Sequence, residues 1–203
     1  MDVNTNVQYQ PLRDISNKIF SGAPIYGFGN VSKDMGGIPV INIKNIIESQ
    51  IDIASLSFLN PENIRDFERF EVRPDDVVIT CRGTQLKVAL VPRELKRAII
   101  TANLIAIRLN ERLSPVFLAA YLKTKEGQRA LLANAKSSTM QLVLNVSDIE
   151  RVEIPLLPLN LQEKIVNLIN SSETQYRLSI ESANMRREIT NQMITDLLKI
   201  QGG

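Results

Sequence analysis

Residues 158–201 read PLNLQEKIVNLINSSETQYRLSIESANMRREITNQMITDLLKIQ, and after Pro158 neither glycine nor proline recurs until Gly202. Apolar or small side chains recur at Leu161, Ile165, Leu168, Ser172, Tyr176, Ile180 and Ala183. The series continues through Arg187 and Thr190 to Ile194 and Leu197. Steps of four and three alternate as in a coiled-coil seam, with one irregularity between Ser172 and Ile180 that reads as a stutter. Asn160 is placed to cap the first turn, and Glu163 to reach back in a capping box. Glu173 and Arg177 are spaced for an i,i+4 pair in the better order. The stretch 159–199 is therefore predicted as one helix of about 40 residues, roughly 60 Å long. So long a seam needs a cover, most simply a second copy of the chain. A helix folded back on its own domain, or broken into a hairpin, is the alternative, although the segment holds no turn residues.

Upstream the pattern shortens. Leu12, Ile15, Ile19 and Phe20 have helical spacing, which predicts a helix over 11–20, stopped by Ser21-Gly22-Ala23-Pro24. A Gly-, Asn- and Ser-rich loop follows from Tyr26 to Gly37 and carries Lys33. Strands are expected over Ile38–Ile43, Val77–Cys81, Lys87–Val91, Ile99–Thr101 and Leu104–Leu109, several of them β-branched. Arg73-Pro74-Asp75-Asp76 reads as a turn. Pro115 suits the first turn of a helix whose Phe117, Leu118, Tyr121 and Leu122 share a face. A second short helix is expected over Glu126–Asn134, then a polar loop over 135–141. Val152-Glu153-Ile154 looks extended. The expected fold is α+β: a small, irregular, mixed β-sheet domain with flanking helices over 1–157, and one long coiled-coil helix in 158–203.

Composition excludes several functions. The 203 residues contain no histidine, one cysteine and no tryptophan. A zinc site has no ligand set, and neither a Ser-His-Asp nor a Cys-His device can be assembled. With aromatics at 5%, a stacking platform for single strands has too few rings. Cys81 lies in a strand-like run and reads as a small buried apolar side chain. No apolar run reaches the roughly 20 residues of a membrane span. Met1-Asp2-Val3-Asn4-Thr5-Asn6 lacks the basic and apolar regions of a signal peptide, so a cytoplasmic protein is expected.

The net charge of +2 matters less than its distribution. Residues 58–76 hold the acids Glu62, Asp66, Glu68, Glu71, Asp75 and Asp76. Residues 82–108 hold Arg82, Lys87, Arg93, Lys96, Arg97 and Arg108 against Glu94. Residues 112–136 hold Arg112, Lys123, Lys125, Arg129 and Lys136 against Glu126. Bunched cations suit a phosphate backbone, and solvated faces produce the same pattern.

Catalytic motifs are wanting. Gly27-Phe28-Gly29 follows no strand and opens no helix, which argues against a dinucleotide site. Asp75-Asp76 is better explained by a turn than by acid–base or magnesium chemistry. Polar clusters where strands end are more informative. Arg82-Gly83-Thr84-Gln85, with Lys87 beyond, sets an arginine, a hydroxyl and an amide where a buried strand emerges, chemistry that suits guanine or a phosphate. Asn42-Ile43-Lys44-Asn45 offers amides and an ammonium, and Lys136-Ser137-Ser138-Thr139 offers hydroxyls beside a lysine. Structural turns use the same residues, so each cluster also has a purely architectural reading.

In order, these stretches resemble the target-recognition domain of type I restriction–modification specificity subunits. The resemblance is carried by Gly37-Ile38-Pro39-Val40-Ile41-Asn42-Ile43-Lys44-Asn45-Ile46, Val72-Arg73-Pro74-Asp75-Asp76-Val77-Val78-Ile79, Arg82-Gly83-Thr84 and Ala98-Ile99-Ile100-Thr101-Ala102-Asn103. Ser138-Thr139-Met140-Gln141-Leu142 with Leu144-Asn145, and Ile154-Pro155-Leu156-Leu157-Pro158-Leu159 followed by Gln162 and Ile165, complete it. No single motif is specific; their order over the whole chain is. The chain departs from the family at Asp75, where glycine is usual, at Leu86, where glycine commonly follows, and at Leu157, which replaces a proline.

The resemblance implies a mechanism. A full specificity subunit looks like two recognition domains held apart by two antiparallel helices, each domain reading half of a split DNA target. This chain resembles half of that. Two copies would pair through Leu161, Ile165, Leu168, Tyr176, Ile180, Ala183, Ile194 and Leu197 and read an inverted repeat. Double-stranded DNA would meet Tyr26, Lys33, Asn42, Lys44, Asn45, Arg82, Gly83, Thr84, Gln85, Lys87, Lys136, Ser138 and Thr139. The implied partners are DNA methyltransferase subunits and, as a further candidate, a restriction/translocase subunit. S-adenosylmethionine and the methylation of adenine would belong to the methyltransferase, and this chain would have no catalytic residues, metal or cofactor. The competing reading is a protein-only adaptor or decoy, which binds methyltransferase or another specificity subunit through the helix without reading DNA.

Overall fold

The structure is a computed structural model that describes residues 7–25, 36–60, 62, 65–133, 135 and 142–200, with the backbone alone for Leu142 and 198–200. The described elements run β1 (Gln8–Pro11), β2 (Ser16–Ser21), β3 (Ile38–Ile41), β4 (Ile46–Ile47), β5 (Gln50–Ile51), β6 (Ser57–Leu59) and β7 (Glu71–Val72). They continue with β8 (Val77–Thr80), β9 (Arg82–Gly83), β10 (Val88–Leu90), β11 (Ala98–Ile100) and β12 (Leu104–Leu109). After these come α1 (Pro115–Lys123), α2 (Lys125–Ala133), β13 (Leu142–Val143), α3 (Val146–Glu150), β14 (Glu153–Leu156) and α4 (Leu159–Ile200). The fold is mixed α+β, with several small sheets and a long C-terminal helix.

Two four-stranded sheets form the heart of it, in the orders β10-β8-β12-β2 and β6-β3-β11-β7. The first is antiparallel throughout, and the second contains the parallel pair β3–β11. Phe20, Val78, Ala89, Leu104 and Ala106 of the first sheet share one core with Ile41, Val72, Ala98 and Ile100 of the second. The pleat sends alternate residues of β8 the other way. Val77 and Ile79 are buried there as well, and α1 lies against β8 and β10. A strand covered on both faces must be apolar throughout, which is why Val77-Val78-Ile79 was legible as a core strand. Each such side chain contributes about 1.5–3 kcal/mol on burial.

The helix expected over 11–20 does not form. A 3-10 turn, Leu12–Ile15, buries those two residues, and the chain then enters β2, which pairs with β12. The i,i+3 spacing of Leu12 and Ile15 fits one tight turn as well as a helix, and the strand ladder decides between them. Pro115 begins α1 as expected, with the Ser114 hydroxyl accepting from the Phe117 amide. The second short helix runs Lys125–Ala133, close to the expected range. The chain divides into two compact units, residues 1–162 and 163–203.

The α4 helix is unbroken from Leu159 to Ile200 over 42 residues, which excludes a hairpin. Its start corrects the expected cap. The Pro158 carbonyl accepts from the amides of Leu161 and Gln162, so Asn160 lies inside the first turn. Gln162, 1% exposed, does the fastening: its side chain accepts from the Ser114 amide (2.7 Å) and donates to the carbonyls of Arg112 (2.9 Å) and Leu157 (2.8 Å). Along the helix Leu161 and Ile165 are half-buried, while Leu168, Tyr176, Ile180, Ile194 and Leu197 are 42–71% exposed. Ala183 is exposed too. A stripe not anticipated from the sequence, Leu178, Met185, Ile189 and Met193, is 55–63% exposed. At about 100° per residue it lies roughly opposite Tyr176, Ile180 and Ile194.

Candidate nucleic-acid interface

β8 leaves the core at Thr80, which is fully buried. Its hydroxyl donates to the Gln85 carbonyl (2.9 Å) and accepts from the Lys87 amide (2.9 Å), which ties the two ends of the following loop together. Within it Gly83 has φ +140°, a conformation open to glycine and strained for any side chain. β9 pairs with β13, Arg82 opposite Val143 and Gly83 opposite Leu142. That clamp leaves Arg82, Thr84 and Gln85 exposed on a rigid base. Cys81 is buried as expected, and burial pushes its thiol pKa up against the opposing pull of Arg82.

The turn at Ile43–Asn45 is built as a reciprocal cap. The Asn42 amide donates to Asn45 Oδ1 (2.8 Å), and Asn42 Oδ1 accepts from the Ile43 amide (3.2 Å) and from Thr101 Oγ1 (3.2 Å). Asn45 Nδ2 donates to the Ser55 carbonyl (3.0 Å) and hydroxyl (2.9 Å). Asn45 is 1% exposed and its amide is fully engaged, so it has nothing to offer a base edge. The architectural reading holds for this residue. Lys87 is likewise committed. Its Nζ donates to the carbonyls of Ile46 (2.7 Å) and Ile43 (3.3 Å), 41 and 44 positions away, and so binds the 43–46 segment to the 82–87 loop. Lys44 stands exposed between them.

These segments, with the α1–α2 junction, enclose an open cleft of about 510 Å³, lined among others by Ile47, Glu48, Ser49, Gln85, Lys87, Lys123 and Gln128. The junction is tight because Gly127 backs onto the Tyr121 carbonyl, where a Cβ would collide. Thr124 caps α2 through the Gly127 amide (3.1 Å). The cleft therefore combines Gln85 and Lys87 of the loop after β8 with residues not expected there: Lys123, Gln128 and the β4–β5 hairpin. Lys123 was visible only as part of a charge run, and the hairpin strands are two residues each, too short for a periodic signal.

Charge pairing separates this face from the rest. The acids of 71–76 are met by the arginines downstream. Arg108 grips Asp76 with Nε (2.9 Å) and Nη2 (2.7 Å), Arg97 meets Glu71 (2.9 Å), and Arg93 reaches Asp75 (3.6 Å). The Asp76 carboxylate holds Arg108 above its ordinary pKa. Among the described residues Lys44, Arg82, Lys123, Lys125 and Arg129 enter no ion pair. Half of the basic stretch expected over 82–108 is thus internally neutralised, while Lys123 stands unpaired on the cleft wall and Lys125 and Arg129 on α2. Also among the described residues, no three His, Cys, Asp or Glu side chains converge to hold a metal ion, and no helix is long and apolar enough to cross a membrane.

The family model described as the type I restriction modification DNA specificity domain matches residues 4–184. The chain belongs to that family. It is 22% identical over 196 residues to a protein of Methanocaldococcus jannaschii described as the MjaX type I restriction enzyme specificity subunit. It is 24% identical over 157 residues to the EcoBI specificity subunit of Escherichia coli. These matches cover 95% and 76% of this chain but 44% and 33% of the relatives, so it spans less than half the length of the curated proteins it matches. The HsdS subunit from Thermoanaerobacter tengcongensis shares the fold, with a TM-score of 0.58 at 21% identity over 86% of this chain and 39% of that one.

Within this specificity domain, Lys87 ties the loop that carries Arg82, Gly83, Thr84 and Gln85 to the segment that follows Asn42 and carries Lys44 and Asn45. Tyr26, Lys33, Lys136, Ser138 and Thr139 lie outside the described residues. The turn at Asp75 also explains a departure from the family pattern. Asp75 has φ +69°, the left-handed conformation that glycine adopts without cost.

Proposed function

We propose that this chain is a DNA-recognition subunit: it reads duplex DNA with the face that carries Lys44, Arg82, Thr84 and Gln85, and it performs no catalysis itself. The observation that carries this reading is the set of exposed cations, Lys44, Arg82 and Lys123, that have no acidic partner among the described residues, in a chain of the specificity family. Exposed guanidinium and ammonium groups on rigid loops suit phosphates, and Thr84 and Gln85 offer a hydroxyl and an amide to base edges. Residues 1–157 would form the recognition domain and 158–203 the spacer helix. Two copies pair through Leu168, Tyr176, Ile180, Ile194 and Leu197, so that a twofold dimer reads a split inverted repeat. The separate stripe of Leu178, Met185 and Ile189 leaves a face for methyltransferase subunits, which carry S-adenosylmethionine and the chemistry. A restriction/translocase subunit joins through them, and the assembly works in the cytoplasm.

The test is a selection on random duplexes with the purified full chain, alone and together with its methyltransferase. An enriched inverted repeat is expected, bound by a species that sediments as a dimer. Absence of any motif in both conditions would overturn DNA reading. Unchanged DNA affinity in Arg82→Ala and Lys44→Ala, with methyltransferase binding intact, would favour the adaptor instead.

A further inference from the structure

Building on the DNA-reading proposal, we infer that the β4–β5 hairpin reads bases beside Thr84 and Gln85, its tip Ile47-Glu48-Ser49-Gln50 entering the major groove. The hairpin is rooted firmly. Ile46 and Ile51 face each other across the ladder and are 1% and 7% exposed. Lys87 Nζ holds the Ile46 carbonyl, and the Asp52 amide donates to the Asn45 carbonyl (2.9 Å). The opposite pair, Ile47 and Gln50, faces outward, with Ile47 53% exposed.

The turn itself is unusual. Glu48 and Ser49 both have positive φ, 47° and 65°, the geometry of a two-residue hairpin turn that normally takes Asn-Gly. Keeping Glu and Ser in that conformation costs stability, and it retains two side chains at the tip that Asn-Gly would shorten or remove. Backbone strain of this kind gathers at functional sites.

The chemistry of the tip matches base edges rather than phosphates. A two-stranded ribbon fits the major groove. There the Gln50 amide suits adenine, the Glu48 carboxylate accepts from the cytosine amino group, the Ser49 hydroxyl serves either, and Ile47 packs on a thymine methyl. A phosphate would repel Glu48, so the tip belongs inside the groove. Lys44, Arg82 and Lys123, which have no ion-pair partner among the described residues, hold the backbone alongside. Positioning and reading are thereby divided between neighbouring segments.

The test compares the full chain with two variants, Gln50→Ala and the double variant Glu48→Asn/Ser49→Gly, in the same duplex selection. The double variant should melt no lower than the parent, because Asn-Gly suits the turn. Both should lose preference at one or two adjacent base pairs and bind the parent site about 10–100-fold more weakly, with non-specific binding and its salt dependence unchanged. Lys123→Ala should instead weaken all duplexes alike. If the parent selects a motif and both hairpin variants select it unaltered, the hairpin is not the reader although the chain still reads DNA. If the parent selects nothing, DNA reading fails and this inference with it.

Discussion

Two groups of cations in one domain have opposite fates. Arg93, Arg97 and Arg108 turn toward the acids of the 71–76 turn, and Arg108 is fastened to an Asp76 side chain only 3% exposed. Lys44, Arg82 and Lys123 are exposed, Lys123 on the wall of an open cleft, and meet no acid among the described residues. In sequence the second group flanks the first, Arg82 only eleven positions before Arg93 and Lys123 fifteen after Arg108. The difference lies in what the fold sets opposite each one. A cation balanced within the chain holds the fold, and one left unbalanced on a rigid loop is available to a polyanion.

Substitutions should separate the two groups. Arg108→Ala strands a buried carboxylate and should cost about 3 kcal/mol. Thermal melting should then fall by roughly 6–12 °C, while the DNA affinity of the folded protein stays unchanged. A variant with unchanged melting but weakened DNA binding would assign Arg108 to the wrong group. Arg97→Ala is milder, since its guanidinium is 56% exposed and loses one ion pair and a contact over the Phe67 ring. At most about 1 kcal/mol is expected, read by urea denaturation. Asp75→Gly relieves a left-handed residue and gives up only the exposed pair with Arg93, so a gain of about 0.5 kcal/mol is expected in the same assay, without effect on DNA. A loss would mean that the Arg93 pair outweighs the backbone relief.

The sequence disclosed α4 and the core strands because their signals are local: an uninterrupted run without glycine or proline, and β-branched stretches such as Val77–Thr80. The turn at Asp75 and the helix begun at Pro115 were legible for the same reason. Leu12–Phe20 misled because the spacing of a single 3-10 turn imitates a helix. The helix start misled because Gln162, acting on Ser114 and Arg112 about fifty positions away, replaces a local cap. At the interface, the Arg82 and Lys44 clusters were visible as polar strand ends. The internal duties of Asn45 and Lys87 were not, since their partners are brought up by the fold. Nor was the hairpin, whose strands are too short to show a period.

The most direct test is the salt dependence of duplex affinity, measured for the parent chain and for a Lys44→Ala/Arg82→Ala/Lys123→Ala variant. Each cation that holds a phosphate contributes about 0.9 to the slope of log K against log salt. The variant should melt like the parent and show a slope shallower by about 2–3. Equal slopes in two equally stable proteins would mean that the duplex is held elsewhere on the molecule, or not held at all.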